Sequence, residues 1–136
     1  MKYVVNSLNE TMNLAKKFAN SLKLGDVVLL NGDLGAGKTT FTQFVFKELG
    51  VKDIVTSPTF AILKTYNGKF PLNHFDTYRI TVDEAIEAGF DEILQNRNSV
   101  TFIEWSENIS PLLPDKVIKV DIKRLNDTAR EFNIYE

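Results

Sequence analysis

Apolar residues fall into two kinds of pattern along the chain. In TMNLAKKFANSLK, Leu14, Ala15, Phe18, Ala19 and Leu22 recur at helical spacing, and Ser7-x-x-Glu10 just before them has the form of a capping box. This predicts an amphipathic helix that stops near Gly25. A second helix is predicted over Thr40–Leu49, with Phe41, Phe44, Val45 and Leu49 on its apolar side and Gly50 at its end. By contrast, Asp26–Asn31 (DVVLLN) and Val100–Trp105 (VTFIEW) carry unbroken apolar runs. Such runs suit strands buried on both faces of a parallel sheet.

Weaker signals fill the rest. Tyr3–Val5 reads as an edge strand. Phe60–Tyr66 and Phe70–Asp76 flank Asn67-Gly68, a hairpin turn signal. Thr81–Ala88 reads as a short helix capped by Thr81 or Asp83, while Pro111 and Pro114 mark a loop. Val117–Ile122 and Glu131–Tyr135 are two late strands, expected to pair. The expected fold class is α/β: one three-layer domain spanning 1–136, with a mainly parallel central sheet and antiparallel additions.

Between the first buried strand and the second helix lies NGDLGAGKTT, which contains Gly32-x-x-x-x-Gly37-Lys38-Thr39. Glycines at this spacing let the backbone curl so that successive N–H groups point at phosphate oxygens, at the positive end of a helix. Gly32, Leu34, Gly35, Ala36, Gly37, Lys38, Thr39 and Thr40 form the expected nucleotide-binding set. Lys38 supplies charge to the β- and γ-phosphates and is read as catalytic, while the Thr39 hydroxyl is placed to ligate Mg²⁺. A strand before and a helix after are the context this loop requires, so the fold is expected to be a P-loop NTPase domain that binds a nucleoside triphosphate with Mg²⁺.

A carboxylate must complete such a site. Glu104 ends the apolar run VTFIE and is favoured for the metal. Asp76 ends the shorter strand NHFD and is left to orient the attacking water or sense the γ-phosphate. Trp105 either packs in the core or lies near the nucleotide or a partner. His74 reads as a hydrogen-bonding strand residue. Arg79 either reaches a phosphate or pairs with Asp76. Ser57 and Thr59, in TSPTF, sit where a γ-phosphate-responsive loop is placed in many such proteins.

Composition narrows the picture. The chain has 136 residues, 43% hydrophobic and 25% charged, with a net charge of −2. With no cysteine and one histidine, disulfides, thiolate chemistry and His-rich metal sites are excluded. No dense basic patch is visible, so any link to a nucleic acid is expected to run through a partner. The N-terminus lacks the form of a signal peptide and no apolar run reaches membrane-spanning length, so a cytoplasmic protein without membrane contact is expected.

The chain lacks the guanine-reading Asn-Lys-x-Asp motif and an LSGGQ signature, and it is short for a lidded kinase or an AAA-type module. A small P-loop kinase and a nucleotide-sensing binding module remain as alternatives. GDLGAGKTT, SPTF, HFDTYR and IEW, in this order and at these intervals, closely resemble the TsaE (YjeE) family of small bacterial ATPases. These act in tRNA threonylcarbamoyladenosine (t6A) modification at adenosine 37. The resemblance implies an ATPase that docks on a TsaB–TsaD pair and resets it between turnovers, meeting tRNA only through that complex. It implies that Thr39 and Glu104 are the Mg²⁺ ligands, that Asp76 is needed for activity, and that Trp105 adjoins the site. It also places Thr11 near the adenine and Arg130 on the nucleotide side.

Overall fold

The computed structural model describes residues 1–33, 35–55 and 63–136. Strand β1 (Lys2–Val5) leads into helix α1 (Leu8–Ser21). The helix begins earlier than its apolar spacing suggests because Ser7 caps it. Its backbone is extended and its side-chain oxygen accepts from the Glu10 N–H at 3.1 Å. The Glu10 side chain does not reach back to the Ser7 N–H. Instead the Ser7 hydroxyl faces the Glu10 carboxylate at 3.5 Å, so the box is only half closed. The helix ends at Ser21, short of Gly25. Gly25, with φ +92°, instead shapes the turn into β2 (Val27–Asn31), donating its N–H to the Ser99 carbonyl at 2.9 Å.

Helix α2 (Lys38–Glu48) follows the glycine loop, and Gly50, with φ +88°, turns the chain away just past its C-cap Leu49. Its buried stripe is Phe41, Thr42, Val45 and Phe46, continued by Leu49. Phe44, expected in that stripe, lies at its margin, partly buried. The stripe is rotated because Phe46 is drawn edge-on against Phe102, at 5.0 Å between centroids.

Strands β3 (Leu63–Asn67) and β4 (Pro71–Asp76) form the expected hairpin. Asn67 belongs to the ladder, paired with Pro71, and the connection is residues 68–70 rather than a two-residue Asn-Gly turn. Gly68 is required for another reason. A Cβ there would overlap the Leu49 carbonyl oxygen, which also accepts from the Lys69 N–H. In place of the one short helix expected next, two form: α3 (Val82–Glu87) and α4 (Phe90–Gln95). Thr81 caps α3 in a complete capping box with Glu84. Gly89, with φ +84°, breaks the chain between them, and Phe90 then stacks on Phe75 at 4.2 Å. Strand β5 (Val100–Glu104) leads into a 3₁₀ segment (Ser106–Leu112) in place of the expected loop. Strands β6 (Ile118–Arg124) and β7 (Arg130–Tyr135) pair antiparallel as expected.

The strands form one seven-stranded sheet, ordered β1-β7-β6-β2-β5-β4-β3. The central four, β6, β2, β5 and β4, are parallel, and antiparallel strands flank them. Alternation along each strand feeds two cores. Val28, Leu30, Val100 and Phe102 face α1 and α2, whereas Val27, Leu29, Phe75 and Ile103 face α3, α4 and the 3₁₀ segment. The sequence expectation of three layers therefore holds. The parallel strands β2, β5 and β4 end side by side, beside the start of α2, and this shared edge gathers the polar residues that the apolar core excludes.

Candidate functional site

The glycine loop leaves β2 through Gly32. A Cβ at Gly32 would lie 2.7 Å from the Ile122 carbonyl oxygen and 3.2 Å from the Ala36 Cβ, so the loop folds back against β6 only without a side chain there. Gly35 (φ +82°) and Gly37 (φ +107°) take left-handed backbone that other residues resist. Leu34 lies outside the described residues. The loop hands over to α2 at Gly37, whose carbonyl accepts the first helical bond from the Phe41 N–H at 2.9 Å.

This helix start differs from those of α1 and α3. No side chain caps it and its first turn carries no acid, whereas Ser7 and Thr81 cap the other two and acidic residues occupy their first turns. The first N–H groups of a helix have no intrahelical acceptor. At α2 the Lys38, Thr39 and Thr40 amides and the positive end of the helix dipole are therefore left to an anion.

Opposite stands Glu104, 4% exposed at the end of β5. Its two oxygens have different partners. Oε1 lies 3.7 Å from the Lys38 ammonium and Oε2 lies 2.9 Å from His74 Nε2. Asp76 sits directly across the parallel ladder from Glu104. The two side chains share the sheet face that α2 covers, since alternation places Leu72, His74 and Asp76 on one side of β4. Asp76 is only half buried, and its Oδ1 accepts the Tyr78 N–H at 3.0 Å. Thr77 ties the two strand ends together. Its hydroxyl lies 3.0 Å from the Glu104 carbonyl and 2.6 Å from that of Trp105.

Trp105 is 37% exposed and takes a left-handed backbone, with φ +61°. It is no core residue. Its ring lies beside Tyr78, at 4.8 Å between centroids, and the Lys38 ammonium stands 5.1 Å from its centre. Arg79 is exposed and stands over the Tyr78 ring at 5.6 Å. Among the described residues it forms no ion pair with Asp76. Ser57 and Thr59 lie outside the described residues.

On the other side of the loop a cavity of about 400 Å³ opens between α1, the loop and the β6–β7 turn. Asn6, Ser7, Thr11, Thr40, Asp127 and Thr128 contribute to its wall. Arg130 borders it too, with its guanidinium committed to backbone. Nε donates to the Ala36 carbonyl at 3.1 Å, and Nη1 donates to the carbonyls of Asn126 at 2.7 Å and Ala129 at 3.0 Å. Arg130 thus clamps the hairpin turn to the glycine loop.

The structure therefore gathers Gly32, Gly35, Ala36, Gly37, Lys38, Thr39, Thr40, Asp76, Glu104 and Trp105 at one edge of the sheet, with Thr11 and Arg130 around the adjoining cavity. Sequence reasoning missed Thr77 and the Asp127–Thr128 wall, and it did not see that His74 bonds Glu104. The period-2 alternation puts His74 and Asp76 on one face, but only the strand register shows which carboxylate His74 meets.

A buried parallel strand, a glycine loop and an uncapped helix beginning Lys-Thr, with a carboxylate on the adjacent strand, define a P-loop domain of the NTPase type. The family model for "Threonylcarbamoyl adenosine biosynthesis protein TsaE" matches residues 5–132. The chain is 44% identical to a tRNA threonylcarbamoyladenosine biosynthesis protein TsaE of Rickettsia prowazekii, covering 98% of this chain and 94% of that one. It is 46% identical to the Bacillus subtilis protein of the same name, over 90% of this chain and 77% of the other. The crystal structure of Bacillus subtilis YdiB superposes with a TM-score of 0.83 at 38% identity, over 98% of this chain and 83% of that one. The chain belongs to the TsaE family of threonylcarbamoyl adenosine biosynthesis proteins.

Proposed function

We propose that this protein is the ATPase component of tRNA t6A37 biosynthesis, binding Mg-ATP at the glycine loop and hydrolysing it when docked on TsaB–TsaD. Hydrolysis resets that complex between turnovers, and tRNA is met only through it. The single observation that carries the reading is the meeting of Lys38 and Glu104, 3.7 Å apart, at the uncapped start of α2.

The residues present fit the nucleotide. The open amides of α2 and the loop would bind phosphate oxygens, and Lys38 would leave Glu104 for the β- and γ-phosphates. Thr39 and Glu104 would hold Mg²⁺. Among the described residues no cluster of three or more acidic or histidine ligands occurs. Two protein ligands suit a Mg²⁺ that arrives on phosphates and keeps several waters. When bound, the ion neutralises charge developing on the phosphate oxygens. Asp76, beside Glu104 and half buried, would orient the attacking water. The 400 Å³ cavity, with Thr11 on its wall and Arg130 at its border, would take the base.

No helix among the described residues is long and apolar enough to cross a membrane. A near-neutral net charge and the small catalytic inventory support an ATPase that is slow alone and stimulated by its protein partners, working in the cytoplasm. Phosphate release from Mg-ATP tests this, measured with and without TsaB–TsaD and with Asp76→Ala as control. Stimulation that Asp76→Ala abolishes is expected. Labelled phosphate appearing on an acceptor instead would turn the reading to a kinase. Binding and partner release without turnover would turn it to a sensing module.

A further inference from the structure

Glu104 is held by two residues of different kinds. Lys38 is on the rim of the loop, where phosphates would draw it away. His74 is in the sheet, fully buried, two residues before Asp76 on β4. It reaches Glu104 diagonally across the parallel ladder, Nε2 to Oε2 at 2.9 Å. The nitrogen facing a carboxylate oxygen must carry the hydrogen. Nδ1 on the far side of the ring has no hydrogen-bond partner among the described residues. Packing also fixes the ring, which stands edge-on to Phe46 at 6.2 Å between centroids.

The site proper uses no histidine, yet among the described residues this one's side chain bonds Glu104 alone. We infer that His74 is a positioning residue for the metal-side carboxylate. It anchors Oε2 in the sheet and turns Oε1 toward the loop, so that when Lys38 swings to the phosphates Oε1 stays aimed at the incoming ion. Once Lys38 leaves, His74 is the side-chain partner that still holds this carboxylate among the described residues. Partners that orient a ligating group are worth roughly 10–100-fold in metal affinity or activity. The inference rests on the reading of Glu104 as a Mg²⁺ ligand.

The test uses the full chain and a fluorescent ATP analogue, titrated with Mg²⁺ and separately in chelator. His74→Phe keeps the ring shape and removes the donor. It is expected to raise the Mg²⁺ concentration needed for tight nucleotide binding about 10–100-fold, with affinity in chelator unchanged. His74→Gln can place an amide nitrogen where Nε2 stood and is expected to restore most of the loss. His74→Asn places its nitrogen nearer the Nδ1 position and is not. Should His74→Phe fail to fold in a thermal melt, the contrast between Gln and Asn carries the test. A wild-type Mg²⁺ titration for His74→Phe, or equal behaviour of Gln and Asn, overturns the inference while Glu104→Ala still shifts the curve. If Glu104→Ala leaves the curve where it was, the metal assignment itself fails and the role of His74 falls with it.

Discussion

The candidate site has two halves built on different principles, one proposed to take the phosphates of a nucleotide and the other its base. The phosphate half is made where parallel strands end, from Lys38, Glu104, His74 and Asp76, with charges buried or half buried and each held by a side-chain or ladder partner. The base half is made where α1 begins and a hairpin turns. Its wall mixes small polar residues with Leu8, Ala36 and Phe132, and its shape depends on one arginine bonded to three carbonyls. The first half concentrates charge in a place that little else could fill. The second supplies shape and is held by backbone geometry. Damage to the two halves should therefore differ in kind, in chemistry and metal dependence on one side and in plain affinity on the other.

The largest expected effect is in the phosphate half. Lys38→Ala removes the mobile charge and leaves Glu104 facing His74 alone, and phosphate release should fall about 10²–10³-fold. A loss confined to nucleotide affinity, with turnover intact at saturation, would break the contrast. Next comes Arg130→Ala. It removes the guanidinium that links three carbonyls of the loop and the turn, which should weaken nucleotide binding about tenfold, with or without Mg²⁺ in equal measure. Arg130→Lys should not restore it, because one ammonium cannot reproduce the planar fork that serves Ala36 and the turn together. A change in Mg²⁺ dependence would mean the two halves are not separable.

Smaller is Ser7→Ala, which removes the α1 cap at the edge of the base half. It should cost about 1 kcal/mol in a denaturant or thermal melt, with turnover at saturating nucleotide unchanged. The smallest lies outside both halves. Lys2, 3.0 Å from Glu131, holds the Glu131 carboxyl below its ordinary range, mainly through that hydrogen bond. A depressed folded-state value stabilises the fold above the ordinary carboxylate range and is lost as pH falls through it. Lys2→Met should slightly flatten the acid side of the stability profile and leave nucleotide binding alone.

The halves also differ in how far they can be read from sequence. The phosphate half is largely legible because its signals are local. Glycine spacing, the Lys-Thr pair and an apolar run ending in Glu104 each lie within a few residues. What stays hidden is register. That Asp76 stands across from Glu104, and that His74 reaches it, depends on how two separate strands, β4 and β5, align. The base half is legible only through family resemblance, since Arg130 meets Ala36 across 94 residues of chain and nothing nearby announces it. The same limit explains the smaller misses. The phase of the α2 stripe is set by Phe102 beneath it, the 3₁₀ segment by its place under the sheet, and Gly68 by a carbonyl on another element. In each case long-range packing chooses among locally acceptable conformations.

Trp105 is the only tryptophan of the chain, and its ring faces the Lys38 ammonium at 5.1 Å. A tryptophan's emission responds to a cation at its face. The protein therefore carries its own optical gauge of whether that lysine is parked on the sheet or engaged elsewhere, and occupancy of the loop can be followed in real time without attaching a dye.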